Sequence, residues 1–400
     1  MNYKNLLLIT HTYNDFVKDQ TEIIAQNFTS ISVCVRYNIA LKYLSYLPFQ
    51  RFDNYKIDRH LDLNNIPTNI TVYPTEILYW SSDSQTRKLG DLHLSKLVKD
   101  IRKKTIRFDM IHAHFTWSSG YVGARLKEKF GVPFVVTAHG YDIYDLPFKD
   151  GEWREKIGYV LNTADHIITV SKSNLACIDK LNVSTPVTVI PNGFRSDLFY
   201  SRDSIECRKL LNLPQDKKII LTIGNLEPVK GHKYLIDSVN EIIGERKDIL
   251  CIIVGVGSKK HTLENQIRSQ GLKDHIMLVG GKTHDEIPLW MNACDIFVLP
   301  SLNEGNPTVM FEALGCGKPF VGTKVGGVPE VILFDDYGLL VKPADAGDLA
   351  DKIMMALDRE WDQQRILAYA EQFRWENISK EILQIYQKVG IRTKRDLEKE

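Results

Sequence analysis

Short, unbroken apolar runs, each closed by glycine or proline and followed by a helix-length stretch, recur along almost the whole chain. In the first half they are LLLIT (6–10), ITVYP (70–74), DMIHAH (109–114), PFVVTAH (133–139), HIITV (166–170) and VTVIP (187–191). In the second half they are IILTIG (219–224), ILCIIVG (249–255), IMLVG (276–280), DIFVLP (295–300) and PFVGT (319–323). Continuous apolar runs suit strands buried on both faces, the situation inside a parallel sheet. Joined by helices they make βαβ units with right-handed crossovers. At 400 residues the chain exceeds what one hydrophobic core supports. Two doubly wound α/β domains are therefore expected. The break falls after PNGF (191–194), where the turn-rich RSDLFYSRDS precedes a strand pattern restarting at Lys218. Strands stop near residue 345 and helices take over. The stretch from 40 to 90 is aromatic-rich and weakly periodic, and its elements resist placement.

Composition removes several classes of function. Hydrophobic residues make up 44% and charged residues 25%, and the net charge is +1, so no general field draws nucleic acid. The 6 cysteines are scattered, at 34, 177, 207, 251, 294 and 316, without a CxxC pair, which fits reduced thiols. No apolar run reaches the ~18 residues of a membrane span. The opening MNYKNLLLITHTYND reads as a buried first strand, not a signal peptide, so a cytoplasmic protein is expected. The stretch KLVKDIRKKTIR (96–107) sets basic residues opposite apolar ones at helical spacing. It reads as a solvated face, with transient contact to an anionic membrane surface as the lesser alternative.

Ligands of open parallel sheets bind beyond the carboxyl ends of the strands, and the unusual residues stand there. In SLNEGNPTVMFEALGCGKP (301–319), Asn306 suits an N-cap, Pro307 the first helical position, and Gly315 and Gly317 the end of the helix. The first-turn amides of Thr308, Val309 and Met310 are then free to meet a phosphate. Glu304 precedes the helix and Glu312 follows two turns later. A carboxylate can accept two hydroxyl protons at once, which suits ribose or sugar hydroxyls. In TIGNLEPVKGHKYL (222–235) a strand ends at Gly224, and Lys230 precedes a helix, where an ammonium can act on a diphosphate. In the first half His112 and His114 face one side of a strand end, and His139 ends the next strand. His112 reads as a satisfied core histidine; His114 and His139 read as cleft residues. No cysteine or carboxylate at ligand spacing completes a metal site, so none is expected. GVGSKK (255–260) begins like a dinucleotide fingerprint but lacks its third glycine.

At these residues the chain resembles glycosyltransferase family 4, the retaining transferases of GT-B fold. The likeness is densest over 109–144 and 170–194 and runs almost unbroken over 220–332. The EGNPxxxxEALxxGKP frame is its most specific part. YAEQFRWENISKEILQIYQKV (369–389) resembles the last helix of that family, which crosses back to the first domain. The resemblance implies two Rossmann-like domains facing each other across a cleft. Their expected bounds are 1–195 on the acceptor side, 196–365 for the nucleotide sugar, and 366–400 for the returning helix and charged tail.

The resemblance also implies roles. Glu312 would hold the donor ribose, Glu304 the transferred sugar, and Lys230 with the amides of Thr308 and Val309 the diphosphate. Asn225, Gly224, Asn306 and Pro307 would line the donor site. His114 would lie near the reacting carbons with His139 in support. No cofactor and no metal would be needed. The expected activity is retaining transfer of a hexose from a UDP- or GDP-sugar to a hydroxyl of a glycan or lipid-linked glycan, in cell-surface polysaccharide or glycoprotein glycan synthesis. A GT-B 2-epimerase, a phosphorylase and a non-catalytic sugar-binding protein are the alternatives. The chain departs from the family pattern at Asn225, where many members carry arginine. ITHTYNDFVKDQT lacks a glycine pair many relatives have, and Phe194 stands where an aspartate is frequent.

Overall fold

A computed structural model describes residues 3–40, 61–80 and 82–397, with side chains described from 5 to 390 within those spans. The chain forms two compact units, one of residues 1–191 and 375–400 and one of residues 192–374.

The first unit is built on seven parallel strands: β1 (Tyr3–Thr10), β2 (Phe28–Asn38), β3 (Ile70–Ile77), β4 (Met110–His114), β5 (Phe134–Ala138), β6 (His166–Thr169) and β7 (Val187–Val189). They lie in the order β3-β2-β1-β4-β5-β6-β7. Alternate residues of each strand feed opposite faces, and both faces are buried. Leu7, Ile9, Cys34, Ile111, Ala113 and Val136 pack against Leu97, Ile101, Leu126 and Trp153. Leu6, Leu8, Val33, Val35, Met110 and Val135 pack against Val17, Ile24, Trp375, Ile378, Ile382, Ile385 and Tyr386. This two-sided burial is why the runs read as unbroken.

Among the helices, α1 (Asp15–Ala25), α2 (Asp83–Lys104) and α5 (Trp375–Leu397) cover the first sheet; α3 (His232–Ile242) and α4 (Thr308–Gly315) belong to the second unit. On α2 the buried residues are Leu89, Gly90, His93, Leu97, Asp100 and Ile101, while Arg102, Lys103 and Lys104 occupy the last turn, where the helix dipole favours cations. The chain rejoins the first unit at Trp375, later than the expected 366. The helix Gln363–Ala370 stays with the second unit because Ile366, Ala370 and Phe373 are part of its core.

β2 was not foreseen. Its sequence FTSISVCVRYN interleaves Thr29, Ser30, Ser32 and Arg36 with apolar residues, so it lacks the unbroken run of its neighbours. Residues 41–60 and 81 of the weakly periodic stretch lie outside the described residues; the remainder contains β3 and the start of α2.

The second unit repeats the plan with β8 (Lys218–Ile223), β9 (Ile249–Val254), β10 (Ile276–Gly280), β11 (Ile296–Leu299), β12 (Phe320–Thr323) and β13 (Gly338–Val341), ordered β10-β9-β8-β11-β12-β13. β13, only 4 residues long, was also not foreseen. One face packs Leu221, Ile252, Phe297 and Phe320 on Met310, Phe311 and Leu314. The other packs Ile220, Cys251, Ile253 and Val298 on Leu235, Ile236 and Val239. Chain entry and exit of this unit are side by side, since the Phe194 amide donates to the Phe373 carbonyl at 3.0 Å. No described helix is long and apolar enough to cross a membrane.

Candidate active site

In each sheet the strand order reverses beside the first strand, between β1 and β4 and between β8 and β11. Loops leaving the carboxyl ends of such strands diverge to opposite faces and open a crevice. In the second unit these are the loops that carry Lys230 and Glu304. The Lys230 Nζ donates to Glu304 Oε1 at 2.6 Å, and Ser301 Oγ donates to the same oxygen at 2.6 Å. The Glu304 side chain is 8% exposed and that of Lys230 26%, so the lysine is the wetter partner.

Glycines bring these backbones together. Gly231 has φ +67°, and a Cβ there would fall inside the Pro300 carbonyl. Gly326 has φ +51°, and a Cβ there would fall on the Glu304 carbonyl. Left-handed backbone costs a side-chain-bearing residue roughly 1–2 kcal/mol before any clash. The Leu302 amide donates to the Val229 carbonyl at 2.7 Å, and the Gly327 amide to the Gly305 carbonyl at 2.9 Å. The β8, β11 and β12 loops therefore form one stitched rim.

Gly224 lies under the lysine, with room for a Cβ 3.7 Å from Lys230 Cδ. The Asn225 side chain is exposed. Its carbonyl meets His232 Nε2 at 3.3 Å. Burial lowers the His232 pKa to about 4, with the hydrogen bond to the Asn225 carbonyl opposing and Lys230 assisting. His232 was not singled out from the sequence, where nothing but its place beside Lys230 and Gly231 marks it. The two glycines of GVGSKK are packing residues: Cβ atoms at Gly255 and Gly257 would strike the carbonyls of Gly224 and Leu226.

Asn306 does not cap α4. The N-cap position is Pro307, without a side-chain bond, and the helix starts at Thr308. Asn306 is instead engaged by Asn192: the Asn192 amide donates to Asn306 Oδ1 at 2.8 Å, and Asn192 Nδ2 to the Asn306 carbonyl at 2.7 Å. The Met310 amide donates to the Pro307 carbonyl at 3.2 Å, which leaves Thr308 and Val309 as the amides at the head of the helix. Glu312 is buried at 5% exposure, farther along α4. Phe194 is also buried, and a Cβ at Gly315 would stand 2.7 Å from its Cδ2, so the phenylalanine after PNG is an anchor for α4. Lys318 of the EALxxGKP frame donates to the carbonyls of Asn292 and Cys294, 2.8 Å each.

In the first unit His112 is a fully bonded core residue, with Tyr386 Oη at 2.6 Å and Thr137 Oγ1 at 2.8 Å. His114 Nδ1 meets His139 Nε2 at 2.9 Å, and the rings stack with centroids 5.2 Å apart. Burial lowers the His114 pKa to about 3 and holds His139 well below the usual histidine range, where the neighbouring imidazoles assist. His114 Nε2 and His139 Nδ1 are sealed from solvent without a partner. Asp142 fixes the loops that carry the two histidines, accepting from the amides of Thr116 at 2.7 Å, Gly140 at 2.9 Å and His139 at 3.2 Å. Among the described residues no group of three or more His, Cys, Asp or Glu is placed to hold a metal ion.

Two parallel α/β sheets with these loops define a glycosyltransferase of GT-B fold. The likeness extends over nearly the full length of solved structures: sucrose-phosphate synthase from Thermosynechococcus elongatus has TM-score 0.77 at 20% identity, covering 96% of this chain and 98% of that one. Anabaena HepE in complex with UDP-glucose has TM-score 0.72 at 22% identity, covering 96% and 99%. The model of Glycosyl transferases group 1 matches residues 203–373, and that of Glycosyltransferase Family 4 matches residues 64–198. An uncharacterized glycosyltransferase of Methanocaldococcus jannaschii is 30% identical over 287 residues, 70% of this chain and 76% of its own. The chain belongs to glycosyltransferase family 4, and it is an enzyme of the transferase class.

Proposed function

We propose that the chain is a retaining glycosyltransferase that moves a sugar from a UDP- or GDP-sugar to a hydroxyl of a glycan or lipid-linked glycan. One observation carries the donor site: an ammonium and a carboxylate from the two loops at the second sheet's reversal point meet at 2.6 Å. That HepE is solved with UDP-glucose supports a nucleotide sugar. In this reading Lys230 and the amides of Thr308 and Val309 take up the negative charge of the diphosphate. Both bonds to Glu304 fall on Oε1, so Oε2 is assigned to the hydroxyls of the transferred sugar. Glu312 is assigned to the ribose hydroxyls, with Asn225 and Gly224 lining the base of the site. Asn306 and Pro307 are given a positioning role at the head of α4.

The step breaks the bond between the anomeric carbon and the diphosphate oxygen and forms one to the acceptor oxygen on the same face. The acceptor proton passes to the departing phosphate. His114, uncharged at neutral pH, is assigned by resemblance to the reacting carbons, with His139 in support. Charge on the leaving group is met by protein groups, so no metal is invoked.

The test is a thermal-shift screen of UDP- and GDP-sugars, followed by incubation with candidate glycan acceptors. A donor at a hundred times its Kd should stabilise the fold by about 2.7 kcal/mol. Nucleoside diphosphate should be released only when acceptor is present, and the product should keep the donor's anomeric configuration. An intact donor after long incubation would leave a binding protein. Conversion of the donor without any acceptor would leave an epimerase.

A further inference from the structure

On the first sheet Arg36 of β2 stands opposite Thr75 of β3, so their side chains share a face. Cys34, two residues earlier on that face, packs with Leu97 and Ile101 of α2. His93, one turn before Leu97, extends the same layer toward the carboxyl ends of the strands. There Arg36 Nε, Thr75 Oγ1 and His93 Nε2 are all sealed from solvent without a hydrogen-bond partner. His93 Nδ1 is occupied by Ser118 Oγ at 3.0 Å, and the Arg36 guanidinium lies 5.1 Å from the Tyr79 ring centre.

Three of the most buried cations have their charge answered. Lys18 meets Asp62 at 2.7 Å, Arg208 meets Asp295 at 2.7 Å, and Lys318 holds two carbonyls. Among the described residues no carboxylate pairs with Arg36. Arg36 is partly buried; sealing the Nε edge of an unpaired guanidinium is costly, and burial pulls its pKa down while Tyr79 alone opposes. In the tautomer in which Ser118 Oγ donates to His93 Nδ1, Nε2 carries the proton. The arginine and threonine, and the histidine in that tautomer, can then all donate, and a guanidinium fork matches an oxyanion.

The place in the fold adds a second argument. His11, just beyond β1, interacts electrostatically with both His93 and His139, and His139 pairs with His114. The donors thus sit at the same edge of the sheet as the histidine assigned to the reacting carbons. We propose that Arg36, Thr75 and His93 form a subsite for a compact oxyanion, a phosphate or a carboxylate, carried by the acceptor. The word acceptor rests on the transferase reading; the anion site itself does not.

Titration calorimetry on the full chain tests it, with inorganic phosphate and succinate as probes and glycerol as the uncharged control. One of the two anions should bind, and which binds tighter identifies the group. Arg36→Gln should weaken that binding about tenfold or more, while Lys230→Ala should leave it unchanged. Uridine and guanosine diphosphates should show the reverse pattern, so failure of the donor site is read separately. Equal anion binding by Arg36→Gln and the parent, no anion binding by the parent at millimolar concentration, or equal binding of glycerol would each overturn the proposal. If Arg36→Gln loses its circular dichroism signal, Arg36→Lys and Thr75→Val decide: weaker anion binding in both supports the subsite, and unchanged binding in both rejects it.

Discussion

Lys230 and Glu304 are separated by 74 residues of chain, yet their side chains meet at 2.6 Å, and Glu304 is the more buried of the two. Removing the lysine therefore strands a carboxylate, whereas removing the carboxylate frees an ammonium that water can reach. Lys230→Ala should cut transfer at least a hundredfold, roughly 2.7 kcal/mol of barrier, and lower stability by about 1–3 kcal/mol. Adding Glu304→Gln should restore most of the stability and none of the activity. Initial rates and thermal melts on the three variants check this, and near-normal turnover in Lys230→Ala would reject the assignment.

The glycine contacts predict activity losses from residues that carry no functional group. Gly231→Ala forces a left-handed alanine, costing roughly 1–2 kcal/mol, and drives its methyl into the Pro300 carbonyl. Stability should fall by more than the dihedral term alone, and nucleoside diphosphate affinity should fall with it. A melt together with a binding titration separates this from a purely local loss.

Phe194 and Gly315 form a complementary pair. Phe194→Ala should cost about 3–5 kcal/mol by opening a cavity, and Gly315→Ala should destabilise by crowding the ring. The two changes together should cost less than their sum, because the smaller side chain admits the new methyl. Denaturant melts of the double-mutant cycle measure the coupling; strict additivity would remove Phe194 as the anchor of the helix.

Acid should unfold this protein early. The folded-state pKa values of His93, His112, His114 and His139 are all lowered, chiefly by burial, His114 to about 3. Each site binds its proton more readily when unfolded, at the ordinary histidine value of 6.5. The stability of the neutral forms is thus complete above that pH and lost on the way down toward 3. Each contributes up to about 1.4 kcal/mol per pH unit across that window. Melting temperature should drop steeply from pH 6.5 to 4.5, and less steeply in His112→Asn. A flat profile would contradict the burial.

Chelation checks the leaving-group argument. If Lys230 and the helix-head amides carry the diphosphate charge, EDTA dialysis should leave turnover unchanged. A loss restored by added magnesium would reassign that task.

Much of the architecture could be read from the residues because burial on both faces leaves unbroken apolar runs. That rule failed where polar residues are interleaved. β2 carries Ser32 and Arg36 inside a buried strand, and the four-residue β13 is too short to show a pattern. Local chemistry named Lys230, Glu304 and Glu312 as candidates, but no spacing reveals that the first two touch. Asn306 illustrates the opposite limit. Its residue type and its place before proline suit a cap, but Asn192, 114 residues away, engages both its side-chain oxygen and its carbonyl. His232 and Arg36 escaped notice because their significance lies in what surrounds them, which only tertiary packing supplies.

The bond from the Phe194 amide to the Phe373 carbonyl closes the neck of an inserted module. Residues 192–374 begin and end at neighbouring points, so they can be lifted out as a cassette without stretching the polypeptide. Recombination could then exchange this unit, together with the loops that carry Lys230 and Glu304, between relatives while the flanking segments stay as they were.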